Sequence, residues 1–151
     1  MPEFELHTTI QAPSQACFDL SLSVDAHRES MGDSGEQAVA GVTSGHMALG
    51  DAVTWRARHF GLPFTMTSSI TAYDAPHRFV DEQVSGPFKE WWHEHTFEAT
   101  PDGGTHMTDR VRFRAPLGPL GSIAETLALN RYLPRLLEER NAWLKATLES
   151  V

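Results

Sequence analysis

The sequence predicts an α+β domain: a curved antiparallel sheet of about six to seven strands wrapped around a long C-terminal helix, with two short helices after the first strand. Three observations predict it. Between Val39 and Ala115, apolar and polar residues alternate in runs separated by Gly- and Pro-rich turns, the period of half-buried strands. From Leu120 to Leu148 the period changes. Ile123, Leu127, Leu133, Leu136, Leu137, Leu144 and Leu148 recur at three-and-four spacing, with Ala124 and Ala128 beside them, as in an amphipathic helix. Pro and Gly at the strand ends let the sheet curl around that helix instead of lying flat.

In chain order, Glu3 to Gln11 alternates Phe4, Leu6, Thr8 and Ile10 with polar residues and reads as the first strand. Ser14 is placed to cap a short helix from Gln15 to Ser23 that buries Ala16, Cys17, Leu20 and Val24. Asp25 is placed to cap a second, Ala26 to Met31, which Gly32 to Gly35 ends. Glu36 to Thr43 is a modest strand. The following loop, Gly45 to Gly50, carries Met47 and Leu49 and reads either as a lid over a pocket mouth or as a segment packed on the helix. Strands then run from Ala52 to Phe60, Phe64 to Tyr73, His77 to Ser85, Phe88 to Thr100 and Thr105 to Ala115. Their turns fall at Gly61-Leu62-Pro63, Asp74-Ala75-Pro76, Gly86-Pro87 and Pro101-Asp102-Gly103-Gly104. Pro116 to Pro119 hands the chain to the long helix. Its polar face is assigned Glu125, Arg131, Arg135, Glu138, Glu139, Arg140 and Lys145, and Pro134 is expected to kink it.

Composition narrows the function. At 151 residues with 40% hydrophobic and 21% charged content, residues 1–151 read as one globular domain. There is no run of 18 apolar residues for a transmembrane helix and no basic–apolar leader, so neither stable membrane insertion nor a signal peptide is expected. A lone Cys17 fits a reducing cytoplasm and an inert core position. The formal net charge of −8 argues against nucleic acid as a partner. Arg110, Arg112 and Arg114 alternate on one strand and so line a solvated outer face.

Alternation also sorts the side chains that point inward. Val53, Trp55, Ala57 and His59 form one set; Met66, Ser68, Ile70 and Ala72 another. Trp91, His93, His95 and Phe97 follow on the next strand but one, and Met107, Asp109, Val111 and Phe113 on the last. For His77 to Ser85 the pattern is undecided: Phe79, Asp81 and Gln83 compete with Val80 and Val84. The concave face therefore holds His59, His93, His95 and Asp109 among aromatic rings. Buried groups of this kind must find partners. They either bond one another and fix the sheet, or orient a small molecule, or act as acid and base, with His93 or His95 as base and Asp109 setting its tautomer. His93-X-His95 puts two imidazoles on one face, too few donors to name a metal site, and no cofactor motif is present.

The stretches Gly50 to Gly61, Phe79-Val80-Asp81 with Gly86-Pro87-Phe88, His93-Glu94-His95-Thr96-Phe97, Gly104-Thr105 with Asp109, and Tyr132-Leu133 carry a resemblance that covers nearly the whole chain. The sequence resembles the START-like helix-grip superfamily. More narrowly it resembles the SRPBCC group of small bacterial proteins labelled cyclase/dehydrase or cell-division inhibitor. The resemblance implies a cavity between sheet and C-terminal helix that takes a small, mostly apolar, lipid- or polyketide-like ligand. The pocket wall is then assigned to Trp55, His59, Trp91, His93, His95, Asp109, Val111, Leu129, Tyr132 and Leu136. A cyclase/dehydratase-type enzyme using His93, His95 and Asp109 stays open, as does a protein-docking role through Arg112 or Arg114. The oligomeric state is not fixed by the sequence.

Overall fold

The computed structural model describes residues 3–31, 34–115 and 129–150. Its elements are β1 (Glu3–Ile10), α1 (Ser14–Ser21), α2 (Val24–Ser30), β2 (Gln37–Gly41), β3 (Ala52–His59), β4 (Leu62–Asp74), β5 (Arg78–Ser85), β6 (Glu90–Ala99), β7 (Thr105–Arg114) and α3 (Asn130–Glu149). The strands form one antiparallel seven-stranded sheet in the order β1-β7-β6-β5-β4-β3-β2. Helix α3 packs on α1, α2 and β1. This is the expected α+β helix-grip architecture.

The differences are local. Pro13, not Ser14, occupies the N-cap of α1, and Ser14 is the helix's first residue, where its hydroxyl meets that of Thr105 at 3.1 Å. The cap of α2 is Ser23, whose oxygen accepts from Ala26 N–H, while Asp25 lies in the first turn. The β3–β4 hairpin turns at Phe60-Gly61, both at positive φ (55° and 75°), the conformation a two-residue turn needs. Pro63 therefore falls inside β4, on the stretch that pairs with β3 but extends past β5, where no ladder donor is demanded of it. The part of the predicted helix from Leu120 to Ala128 lies outside the described residues. Within α3, Pro134 comes just after the first turn and the helix continues through it.

Loop 45–50 is tied down rather than hanging over the sheet. Val24 N–H donates to Gly45 O, Met47 N–H to Leu22 O and Gly50 N–H to Ile70 O. Met47 is buried and Leu49 is exposed.

The apolar core has two parts. One gathers Ile10, Leu22, Val53, Trp55, Met107 and Leu144 around the fully buried Phe18, whose ring meets Phe79 and Phe97 edge-on at 5.6 and 5.5 Å. The other joins Val111 and Phe113 to Leu133 and Leu137. On β7 the residue between Met107 and Val111 on that face is Asp109. On β6 the residues between Trp91 and Phe97 are His93 and His95. On α3, Arg140 and Asn141 lie between Leu137 and Leu144. A polar belt therefore crosses the interior where the two cores meet.

Candidate functional site

Strand register builds the belt. Across the sheet His95 pairs with Asp109 on β7 and with Phe79 on β5, while His93 pairs with Val111 and with Asp81. Pairing aligns two adjacent rows of inward side chains, and diagonal neighbours on such a face are within reach of long side chains. The hydrogen bonds run along those diagonals. An ionised carboxylate only accepts, so His93 Nε2–H donates to Asp109 Oδ1 at 2.8 Å and His95 Nε2–H donates to Asp81 Oδ2 at 2.7 Å. The two imidazoles stack at 3.7 Å, and Phe79 covers the other face of His95 at 4.0 Å.

Helix α3 closes the belt from above. Arg140 Nη1 donates to Asp109 Oδ1 at 3.0 Å, and Asn141 Nδ2 donates to Asp109 Oδ2 at 2.8 Å. Arg140 Nη2 lies 3.4 Å from His95 Nδ1 and donates to that ring's lone pair. Arg140, assigned to the helix's polar face by its charge, is instead 3% exposed. Burial alone would push the Asp109 carboxyl up; Arg140 and the imidazoles outweigh it and hold that group well below the usual carboxylate range. Asp81 follows the same balance, burial opposed by His93, His95 and Arg140, and is lowered to about 2. His93 is lowered as well, because burial and the neighbouring His95 outweigh the pull of Asp81 and Asp109.

Beside the belt lies a cavity of about 500 Å³ between the sheet, α2 and α3. Of the residues assigned to its wall from the sequence, Trp55, His59, Trp91, His93, His95, Leu129, Tyr132 and Leu136 line it. Asp109 and Val111 do not. Both have no solvent exposure: Asp109 sits behind the imidazoles, capped by Arg140 and Asn141, and Val111 packs with Phe113, Leu133 and Leu137. The register of β5 is resolved in favour of Phe79 and Asp81, which face the cavity; Val84 is exposed. Gln83 turns back to bond the Phe88 backbone through both its amide atoms.

The wall also holds polar residues not foreseen: Asp81 in a settled role, Arg140, His27 and Glu36. His59 Nδ1 meets Tyr132 Oη at 2.5 Å, joining the end of β3 to α3. Burial lowers the His59 pKa more than the Glu36 charge raises it, and burial, with Glu139 and Glu36, raises that of Tyr132. Arg140 had a signal in the sequence: it lies three residues after Leu137 and four before Leu144, on the apolar stripe. Glu36, in a turn before β2, had none.

Chemically, the belt contains two carboxylates, one guanidinium and two stacked imidazoles whose Nε2–H groups are held by Asp109 and Asp81. Stacking at 3.7 Å disfavours charging both rings at once. Asp81, His93 and His95 offer donor atoms within 4.8 Å of one another, the only such group of metal-ligand type among the described residues. Their near-parallel rings, 23° apart, aim their lone pairs side by side rather than at a common point. A metal would need a ring to turn and the His95–Asp81 bond to break.

A family model described as polyketide cyclase / dehydrase and lipid transport matches residues 1–149. No curated protein matches the chain. Among solved structures, the Zhui aromatase/cyclase from Streptomyces sp. R1128 superposes with a TM-score of 0.79 at 12% identity, covering 98% of this chain and 93% of that one. TTHA0849 from Thermus thermophilus gives 0.75 at 15% identity, with 97% and 99% covered. Protein Ms6760 from Mycobacterium smegmatis gives 0.72 at 18% identity, with 98% and 91% covered. At these identities the likeness is one of fold. Among the described residues no helix is long and apolar enough to cross a membrane.

Proposed function

The chain belongs to the polyketide cyclase/dehydrase and lipid transport family, and from that premise we propose that it binds one small, mostly apolar, lipid- or polyketide-like molecule in the cavity between sheet and helix. The observation that carries the reading is the cavity itself: about 500 Å³, walled by aromatic and aliphatic side chains and interrupted by a few polar groups that face inward. Trp55, Trp91, Leu129 and Leu136 supply contact area. His59, Tyr132, His93 and His95 orient the ligand, and Asp109 acts through the imidazoles it holds. Burying roughly 200–300 Å² of apolar ligand surface at about 25 cal/mol per Å² gives about 5–8 kcal/mol before the costs of association. Selectivity then falls to the polar groups.

Native mass spectrometry of protein purified from its own host should reveal a co-purifying small molecule. Titration with 8-anilinonaphthalene-1-sulfonate should give a fluorescence rise that fatty acids or polycyclic phenols reverse. Absence of both signals in folded protein would overturn the reading.

A second reading, acid–base cyclisation or dehydration, is favoured by one observation: His93 and His95 each donate to a carboxylate and so have fixed tautomers. On a substrate found by screening, His93→Ala, His95→Ala and Asp109→Asn would each lower turnover by about 100-fold or more. Full turnover in all three excludes it.

A further inference from the structure

The belt at Asp81, His93 and His95 is not the cavity's only polar wall. Glu36 enters from the turn before β2, on the sheet edge away from β6. Its side chain is 9% exposed, and its Oε2 is buried without a hydrogen-bond partner among the described residues. The nearest cation-capable group is His27, whose Nε2 lies 3.3 Å from that oxygen, outside hydrogen-bonding alignment. The ring of His27 stands against Trp55 at 4.4 Å, and all three residues line the cavity. Glu36, His59 and Tyr132 all line that one cavity.

A buried carboxylate oxygen left unmatched costs more than an ordinary hydrogen bond returns, and such a group in a folded protein calls for a partner. We propose that the partner is the ligand: Glu36 Oε2 accepts a hydrogen bond from a hydroxyl at one end of the bound apolar molecule, and His27 Nε2–H lies ready to donate to that same hydroxyl. The assignment rests on the cavity-binding reading and narrows its substrate class to hydroxyl-bearing, ring-containing or chain alcohols and phenols. The neighbourhood favours a hydroxyl over other polar ends. A ligand carboxylate would oppose Glu36. An ammonium would bring three donors to a wall where Glu36 is the one carboxylate among the described residues. A hydroxyl gives one proton and takes one, which is what Glu36 and His27 offer. Glu36 precedes β2, four strand positions from β6 in the sheet, so the carboxylate and the imidazole belt stand on opposite sides of the cavity.

The test compares two probes of nearly equal shape, 2-naphthol and 2-methoxynaphthalene, the second unable to donate. Affinities are measured by fluorescence titration on the wild type, Glu36→Gln, Glu36→Leu and Trp55→Ala. The wild type should prefer 2-naphthol by about 10-fold or more, the size of a hydrogen bond to a charged acceptor. Glu36→Leu should bring the ratio to about one or invert it, Glu36→Gln should fall between, and Trp55→Ala should weaken both probes while keeping the ratio. The ratio is the readout, so a general loosening of the cavity cancels, and Glu36→Gln serves if Glu36→Leu does not fold. No preference in the wild type, or a ratio unchanged in both Glu36 variants, overturns the assignment while leaving the cavity reading in place. Failure of both probes and of 8-anilinonaphthalene-1-sulfonate to bind overturns the cavity reading and this assignment with it.

Discussion

His93 donates to Asp109 across 2.8 Å, and the same carboxylate oxygen takes a bond from Arg140 at 3.0 Å, all three groups being almost completely removed from solvent. One buried anion therefore ties β6 to β7 and the sheet to α3. Asp109→Ala strips that anion and leaves a buried guanidinium unmatched, so unfolding free energy in urea should fall by about 3–5 kcal/mol. The double variant Asp109→Leu/Arg140→Leu removes both charges and should recover much of the loss. A double variant no more stable than Asp109→Ala alone would contradict the charge-pair account.

Acid should weaken the fold in two stages. Asp81 has a folded pKa of about 2 against an ordinary 3.8, so the unfolded chain takes up its proton first. The stability it contributes is complete above pH ~4 and is lost as pH falls from about 4 to about 2; Asp109, shifted the same way, adds to this stage. His93 is lowered from 6.5 by burial and by His95, so the unfolded chain again protonates first, and this loss begins as pH drops below about 6.5. Urea midpoints measured from pH ~8 to ~3 should decline through both ranges. His93→Gln should flatten the upper stage and Asp81→Asn the lower. A wild-type midpoint constant down to pH ~4 would contradict the assignment for His93.

The tryptophans should separate by face. Trp55→Ala and Trp91→Ala remove cavity wall and should weaken 8-anilinonaphthalene-1-sulfonate binding by about 10-fold or more. Trp92 lies on the outer face with the Arg112 guanidinium 4.4 Å above its ring, and Trp92→Ala should leave dye binding unchanged. Equal losses from all three would argue that the dye reports general loosening.

Gly41 and Gly45 offer a paired stability test. Both have positive φ, 73° and 78°, but a Cβ at Gly41 would lie 2.3 Å from the Ala52 carbonyl oxygen, whereas at Gly45 it meets open space. Gly45→Ala should cost about 1 kcal/mol, for conformation alone. Gly41→Ala adds a backbone clash on the β2 edge strand and should cost about 1–3 kcal/mol more. Thermal melts of the two variants check the difference.

Much of this architecture can be read from local pattern, because period-2 and period-3.6 runs are set by which faces are buried. His93, His95 and Asp109 share a face for that reason, and their inward direction follows from Phe97, Met107 and Phe113 beside them. Pattern fails where both faces are buried. Val80 is as buried as Phe79, next to the bulge where β4 carries an extra residue between Ile70 and Ala72, so apolar residues occupied both alternations and Asp81 stayed unassigned. It fails too where charge overrides position. Arg140 occupies a stripe position, and only its partner Asp109, 31 residues away along the chain, explains why a cation belongs there. Phe18, the centre of one core, is not singled out by the pattern because an eight-residue helix is too short for its period to rank its apolar members.

The belt has a mechanical consequence for α3. Charged contacts fasten the helix at its middle, through Arg140, and at its far end, where Lys145 grips the Thr9 carbonyl at 2.6 Å and Glu149 takes the Gln11 amide at 2.8 Å. The stretch from Leu129 to Leu137, which roofs the hollow, is held among the described residues by the apolar packing of Leu133 and Leu137 on Val111 and Phe113 and by the uncharged link from Tyr132 to His59. The carboxyl-terminal half of the helix is thus held by charge and the half over the hollow by fit, so changes of charge act on the anchor and changes of side-chain size on the roof.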